Sequence, residues 1–449
     1  MLTIYASKQQ TFNSYLLTQS LAKNPLLLKV DSILSALPAL LQPLVDTYLN
    51  DRKTKGIDPN FGRPTIALET FIRILLLKYL YKNCDLREVE NRTKTDLSWK
   101  AFAKLSVEDS VPDFTTLNNW ELFFGEQAIR KLHDQVVDYC QGKKLIKAKS
   151  LRVDTTVTEA NIHYPTDASL LKDAVTVITR TVKKIQRFTT EKLKIRCRIK
   201  AIKQKVYGIV KVLKRRTNEA KQQVKQITKE IFRLARATVN EAAIISKSHV
   251  SKALKDKVAL AKRLLKQTSD VLKGKKIKDR IVSFFQPSMR PIVKGKLGKP
   301  VEFGKKIEIV EVENNLISDY QIHLGNPNDA GVFLNAITRH KQRFKYLPTL
   351  VATDRGGWAE ENVKELMDLG VKQVSIPKRG YKTKQRARTE HSQWFTAGQR
   401  WRAGGEAKIS WLKRSFGMGR SRAKTERGYD SGIGMSVLAC NLKRLSFIT

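Results

Sequence analysis

The chain has 449 residues, with 85 Lys plus Arg against 42 Asp plus Glu and a formal charge of +43. Hydrophobic residues make up 41%, enough to build real cores and to exclude wholesale disorder. So large a positive surplus repels itself unless it meets a polyanion; nucleic acid is the first expected partner and an acidic membrane surface the second.

The length allows about three domains of ordinary size. No run of 18 apolar residues occurs, which argues against a membrane span. Residues 1–17 lack a basic-then-apolar signal pattern, which argues against secretion. The four cysteines, Cys84, Cys140, Cys197 and Cys440, lie far apart with no C-x-x-C pair; that spacing excludes a zinc finger and fits a reducing compartment.

Residues 26–49 are apolar and helical in character, and GIDPNFGRP (56–64) is a turn-rich linker. Ala67 to Tyr81 reads as a strongly apolar, buried helix, and Asp85 to Ala103 as a second helical stretch. Pro112-Asp113 breaks the chain, and Thr115 or Thr116 can cap a helix running from Leu117 towards Tyr139. These elements make an all-helical N-terminal domain, residues 1–147.

In AKSLRVDTTVT (148–158), Leu151, Val153 and Val157 fall on one side of a period-two pattern, which predicts a strand with Asp154 inside it. From Leu171 to about Ile281 the pattern turns helical, with Val175, Ile178, Val182 and Ile185 at 3/4 spacing. Residues 172–280 hold 33 Lys or Arg and 8 Asp or Glu, more than half of the whole surplus, so long basic helices in a bundle or hairpin are expected over 168–286.

Pro287 to Gly304 reads as a Pro/Gly-rich linker. KIEIVEVE (306–313) and LISDYQIHL (316–324), joined at Asn314-Asn315, signal a hairpin. A helix follows over 328–343, an apolar strand LPTLVAT (347–353) ending at Asp354, a helix 358–369 stopped by Gly370, a strand 371–376, a basic loop 378–388 and two closing helices. Without the insertion this is a mixed α/β sheet flanked by helices, split between 148–167 and 287–449.

Asp154 is a carboxylate within an apolar strand, which costs several kcal/mol unless it is paired or meets a cation. Asp354 stands at the C-terminal end of a strand, where open α/β sheets gather ligands. Glu406 follows Arg402 by four residues and precedes Lys413 by seven, so the three can share a helical face, although Gly404 and Gly405 weaken a continuous helix there. Taken singly, Asp354 reads equally as a turn cap, Asp154 as a solvent-facing edge residue and the third group as a surface ion-pair ladder. Together, three carboxylates on separate elements of one sheet can hold two divalent cations for phosphodiester chemistry. Glu390 is the second choice for the third acid; Glu360 and Glu361 point to a surface helix, Asp167 and Asp173 decorate the first inserted helix, and His163 is more simply structural than a neighbour of the site.

These segments resemble a bacterial insertion-sequence transposase of the DDE, RNase H-like class. The resemblance is carried by LRVDTTVTEANIHYPTDASLL (151–171), MRPIVKGKLGKPVEFGKKIEI (289–309), LVATDRGGW (350–358) and RAGGEAKISWLKRSFGMGRSR (402–422). It implies an RNase H-like mixed sheet interrupted after its first strand by a long helical insertion, with Asp154, Asp354 and Glu406 as catalytic metal ligands for two Mg²⁺ ions, Mn²⁺ being a substitute. Some relatives carry a Tyr-x₂-Arg-x₃-Glu-x₆-Lys signature; Arg402, Glu406 and Lys413 fit it, and Gln399 stands where the Tyr would be. Arg402, Lys413 and Arg355 would then contact DNA.

The N-terminal region resembles the helical DNA-binding domain at the front of such transposases. Thr115, Thr116, Asn118 and Asn119 could meet base edges from a helix-turn-helix-like pair, with Lys53, Lys55 and Arg63 on phosphates or in the minor groove. A capped helix without groove contact fits the same residues. The basic insertion is a sequence-blind backbone binder, and the loop holding Lys378 and Arg379 is expected beside the active site. The implied protein is a bacterial, cytoplasmic, nucleoid-associated enzyme that cuts and joins double-stranded DNA, inverted repeats and target alike, as a homodimer in a synaptic complex. An inactive transposase-derived DNA-binding protein and a metal-dependent nuclease are the alternatives.

Overall fold

The computed structural model describes residues 1–6, 12–37, 39–62, 64–81, 84–190, 192–248, 251–296 and 299–449. Arg63 lies outside the described residues. The chain forms two compact units, residues 1–160 with 306–449, and residues 161–305.

The first unit begins with helices α1 (Phe12–Ala22), α2 (Pro25–Ser35), α3 (Gln42–Thr54), α4 (Leu68–Leu80), α5 (Leu86–Thr95), α6 (Leu97–Phe102) and α7 (Phe114–Gly142). Local chemistry starts several of them. Pro25 occupies the first turn of α2 behind the Asn24 cap, and Asp85 and Asp96 cap α5 and α6 by accepting main-chain N–H bonds. Helix α4 is buried almost all round, which is why its sequence is nearly continuous in apolar residues. Its one buried cation, Arg73, is neutralised by Asp31 at 2.6 Å and Glu69 at 3.2 Å. The cap of α7 is Asp113, which accepts from the N–H groups of Thr115 and Thr116, so those threonines stand inside the first turn rather than at the cap. The expected run from Leu117 to Tyr139 is kinked at Gly125, whose φ of +70° suits glycine, and a Cβ there would lie 2.9 Å from Arg427 Nε.

Strand β1 (Ser150–Glu159) follows. Leu151, Val153 and Val157 are buried as the alternation predicts, and so are Arg152, Thr156 and Thr158, because both faces of the strand are covered.

The second unit holds α8 (Asp167–Gln186), α9 (Ile199–Leu213), α10 (Asn218–Ser248) and α11 (Lys252–Leu272). Thr166 and Ser169 form a capping box at the start of α8. The predicted stripe of Val175, Ile178 and Val182 packs with Ile202, Ile231, Ala235, Leu254, Val258 and Leu264 into one apolar core. The helical run is interrupted between α8 and α9, where Arg198 grips Glu241 with two bonds of 2.6 and 2.9 Å. Asp167 takes bonds from Gln267 and Arg280, and His163 lies 3.6 Å from Asp173, so these three side chains serve this unit. The expected linker 287–304 is instead an antiparallel hairpin of β2 (Arg290–Lys296) and the first half of β3 (Lys299–Glu311). Alternating Ile292, Val301 and Phe303 supply the strand signal that Pro291 and the glycines obscure, and Pro is tolerated at the start of a strand.

Residues 306–311 of β3 return to the first unit and pair antiparallel with β4 (Ile317–His323). The turn between them uses Asn314 and Asn315 at φ 58° and 55°, a left-handed conformation that Asn accepts more readily than most residues. The chain continues through α12 (Asp329–Phe344), β5 (Leu350–Ala352), α13 (Glu360–Asp368), β6 (Gln373–Ser375), α14 (Lys384–His391), α15 (Gln393–Ser415) and α16 (Glu426–Ile448). Strands β3, β1, β5 and β6 neighbour one another in that order, with β1, β5 and β6 parallel, so β1 is interior and not an edge. Helix α15 packs across β1, β5 and β6, and α16 packs against α7, α2 and α4. No described helix is long and apolar enough to cross a membrane, and all four cysteines are free.

Candidate active site

Two neighbouring parallel strands set the site. Their register pairs Arg152 with Ala352, and two residues further along each strand direction stand Asp154 and Asp354. Equal steps along parallel neighbours bring both carboxylates to the same level, just past the end of β5 and midway along β1. They line one small pocket with Val153, Thr155, Asp329, Val332, Phe333 and Thr353.

Asp354 leaves β5 into a tight helical turn, residues 355–357, and its Oδ1 accepts the Gly356 N–H at 2.7 Å. The turn needs its glycines. A Cβ at Gly356 would lie 2.7 Å from Asp354 Oδ1, and one at Gly357 would lie 2.6 Å from Thr353 Cγ2. Asp154 Oδ1 accepts the Thr155 N–H at 2.8 Å. Burial pushes the Asp154 carboxyl up to about 6; the Asp354 charge adds to the rise and Glu406 contributes, while the Thr155 N–H and Arg402 oppose it. Both other candidate acids therefore bear on Asp154 electrostatically.

Arg402, Glu406 and Lys413 all lie on α15, which runs unbroken through Gly404 and Gly405. The glycines there leave room for a side chain from β1. The Arg152 guanidinium crosses the helix there, and a Cβ at Gly404 would meet its Nη1 at 2.7 Å. Glu406 is exposed and accepts from Arg402 at 3.0 Å. Gln399 spends its side-chain amide on the Ser375 oxygen at 2.6 Å, the Ser375 hydroxyl at 3.1 Å and the Thr353 oxygen at 3.3 Å. Its amide nitrogen clamps the ends of β5 and β6.

Among the described residues, no three His, Cys, Asp or Glu side chains stand close enough together to hold a metal ion as they are. The donor chemistry of the pocket nonetheless fits a hard divalent cation. Two carboxylates line one pocket, Asp154 from within β1 and Asp354 from just past the end of β5, and a cation would relieve both the burial of Asp154 and the repulsion that Asp354 adds to it. Glu406 stands apart from these two, its carboxylate turned to Arg402.

The basic loop is tied to the same turn. Lys378 and Arg386 lie over the Trp358 ring at 5.9 and 4.5 Å, and Trp358 closes the turn that Asp354 opens. Glu390 holds the loop from beneath, accepting from the Lys378 N–H at 2.8 Å and from Lys382 and Arg386. Burial favours its neutral form, but the Lys382 ammonium, the Lys378 N–H and Arg386 outweigh it and keep the carboxyl below its ordinary value. Glu390 is thus a loop clamp. Arg355 and Arg379 are exposed, and Glu360 and Glu361 open α13. On α7, Thr115, Asn118 and Asn119 are exposed, while the Thr116 hydroxyl donates a hydrogen bond to Asp113 Oδ2 at 2.6 Å.

Sequence reasoning passed over Asp329, whose place in GNPNDAG signals only a helix start, and Lys306, which looks like one alternating residue among many. Both reach the pocket region through partners distant in sequence.

Two family matches agree with this geometry. Residues 18–121 match a family described as Transposase domain (DUF772), and residues 296–442 match one described as Transposase DDE domain. Neither a curated protein nor a solved structure matches the chain. The second matched span contains Asp354 and Glu406, and Asp154 lies outside both. Together the matches cover more than half of the chain, in the order helical front then acid-bearing sheet, and the chain belongs to the insertion-sequence transposases of the DDE class.

Proposed function

We propose that the protein binds the ends of its own insertion sequence, cleaves their 3′ ends and joins them to target DNA on an RNase H-like sheet. The observation that supports this reading is the convergence of Asp154, within β1, and Asp354, just past the end of the paired parallel strand β5, on one pocket, with Glu406 close enough to influence Asp154.

Asp154, Asp354 and Glu406 would hold two Mg²⁺ ions, for which Mn²⁺ can substitute, and these ions would supply activation of the attacking oxygen and stabilisation of the leaving one. Glu406 must leave Arg402 to do so. The Glu406 end of this i,i+4 pair is open to solvent, so a phosphate that takes Arg402 releases the carboxylate. Arg402, Lys413, Arg355, Lys378 and Arg379 hold phosphate oxygens beside the pocket.

Residues 1–147 read the end sequence, with Thr115, Thr116, Asn118 and Asn119 at base edges. Residues 148–167 with 287–449 carry the chemistry, and 168–286 grip the backbone through charge. Two ends must be cut together, so the working form is a homodimer in a synaptic complex on DNA, within a bacterial cytoplasm.

Purified protein incubated with labelled end DNA and Mg²⁺ tests this. Strand joining supports the transposase; cleavage alone indicates a nuclease, and inert binding a transposase-derived regulator. Asp354→Asn is expected to abolish cleavage and leave end binding intact. Cleavage retained in that variant would falsify the assignment.

A further inference from the structure

We propose that Asp329 is a positioning residue for the carboxylates of Asp154 and Asp354, held in place by Lys306 and Thr155; the proposal rests on the reading of Asp154 and Asp354 as cation ligands.

Asp329 is the first residue of α12, and its side chain is turned to the pocket that Asp154 and Asp354 line. One oxygen is fully committed. Oδ1 accepts from Thr155 Oγ1 at 2.8 Å and from Lys306 Nζ at 3.1 Å. Thr155 in turn gives its N–H to Asp154 Oδ1 at 2.8 Å, so a single chain of bonds runs from Lys306 through Asp329 and Thr155 to Asp154.

The other oxygen faces the second acid. A Cβ at Gly356 would lie 3.2 Å from Asp329 Oδ2 and 2.7 Å from Asp354 Oδ1, so both carboxylates converge on the same glycine. Asp329 thus stands between the support of Asp154 and the support of Asp354.

Lys306 gives the arrangement its stability. Its side chain is 8% exposed, and its ammonium reaches the Pro327 oxygen at 2.6 Å besides Asp329. A buried ammonium must keep its partners, so Lys306 fixes Asp329 while balancing part of its charge. With Oδ1 occupied by two donors, Asp329 acts on a bound cation from outside: it orients Asp154 through Thr155, adds negative charge, and leaves Oδ2 to accept a hydrogen bond from water on the cation.

The test is Mn²⁺ binding to the full chain without DNA, read from the electron paramagnetic resonance of free Mn²⁺. Asp329→Asn keeps an oxygen to accept the Thr155 hydroxyl and removes the charge. Its Mn²⁺ affinity is expected to fall about 10–100-fold, the usual effect of losing an outer partner of a metal ligand. End-DNA affinity measured without divalent ions should stay unchanged. Wild-type Mn²⁺ affinity in this variant overturns the proposal.

Thr155→Val and Thr155→Ser give a second arm if Asp329→Asn folds poorly. Val should weaken Mn²⁺ and Ser should restore it; equal affinities overturn the proposal. Asp154→Asn separates the two levels. If it abolishes Mn²⁺ binding while Asp329→Asn does not, only the role of Asp329 fails. If neither variant alters Mn²⁺ binding, the reading of the pocket as a cation site fails with it.

Discussion

Arg152 gives a hydrogen bond from Nη1 to the Trp401 main-chain oxygen at 2.6 Å, with its guanidinium 5.0 Å from the Trp401 ring. Its Nη2 reaches Glu311 Oε2 at 2.7 Å and Asn315 Oδ1 at 3.0 Å. Arg152 stands two residues before Asp154 and Trp401 five before Glu406, so this one contact fixes the strand bearing the first acid against the helix bearing the third.

The two adjacent glycines of α15 should therefore respond oppositely to alanine. At Gly404 the new methyl meets Arg152 Nη1 at 2.7 Å, and that group is anchored by three acceptors and cannot swing away. Gly404→Ala is expected to lose about 1–3 kcal/mol in urea unfolding. At Gly405 the closest approach is 3.6 Å, ordinary contact, and Ala is the better helix former. Gly405→Ala should be neutral or gain about 0.5–1 kcal/mol. Equal losses at both positions would refute the account of the close approach.

Asp154 makes stability depend on pH. A carboxyl held above its unfolded value penalises the folded state wherever it must ionise. The handicap is present in full above about pH 6 and disappears as the pH falls towards 3.8. Without divalent ions, Asp154→Asn should melt higher than wild type at pH 7.5, and the gap should close on acidification through that window. Melting curves from pH 4 to 8 check this; a gap that widens in acid has the wrong sign.

Glu390 is expected to govern the order of the basic loop. Glu390→Ala leaves the Lys378 N–H, Lys382 and Arg386 without their shared acceptor. Limited trypsin digestion should then cut faster at Arg379 and Lys382, while end-DNA cleavage falls. An unchanged cleavage pattern would mean that the stacking on Trp358 alone orders the segment.

The insertion should reveal itself in salt. Lys200, Lys203 and Lys211 are exposed on α9. Changing all three to Gln should lower the slope of log affinity against log salt by up to about 0.9 for each phosphate that is no longer neutralised, for specific and non-specific DNA alike. A slope identical to wild type removes α9 from the DNA-binding surface.

Local patterns made much of this chain readable. The buried helix at 67–81, the 3/4 stripe of the insertion and the Asn314-Asn315 hairpin each carry their reason within a dozen residues. Part of what escaped depends on partners far along the chain. Gly404-Gly405 looks like a helix break until Arg152 is seen lying across it, and Gln399 looks like an altered signature residue until it is found clamping Thr353 and Ser375. Asp113 displaced Thr115 and Thr116 as the cap because its carboxylate reaches both N–H groups at once. The strand over 290–296 was hidden by Pro291 and its glycines. Asp154, Asp354 and Glu406 could be singled out individually, but the equal step along β1 and β5 that brings the first two together is a property of strand pairing.

The packing of α16 on α2, α4 and α7 has a bearing on synthesis. Tyr429, Ile433, Val437 and Leu438, all buried, come off the ribosome roughly 300 residues after the last of those early helices. The front of the protein therefore waits, half-finished and with apolar surface showing, until residues 426–448 arrive to close it.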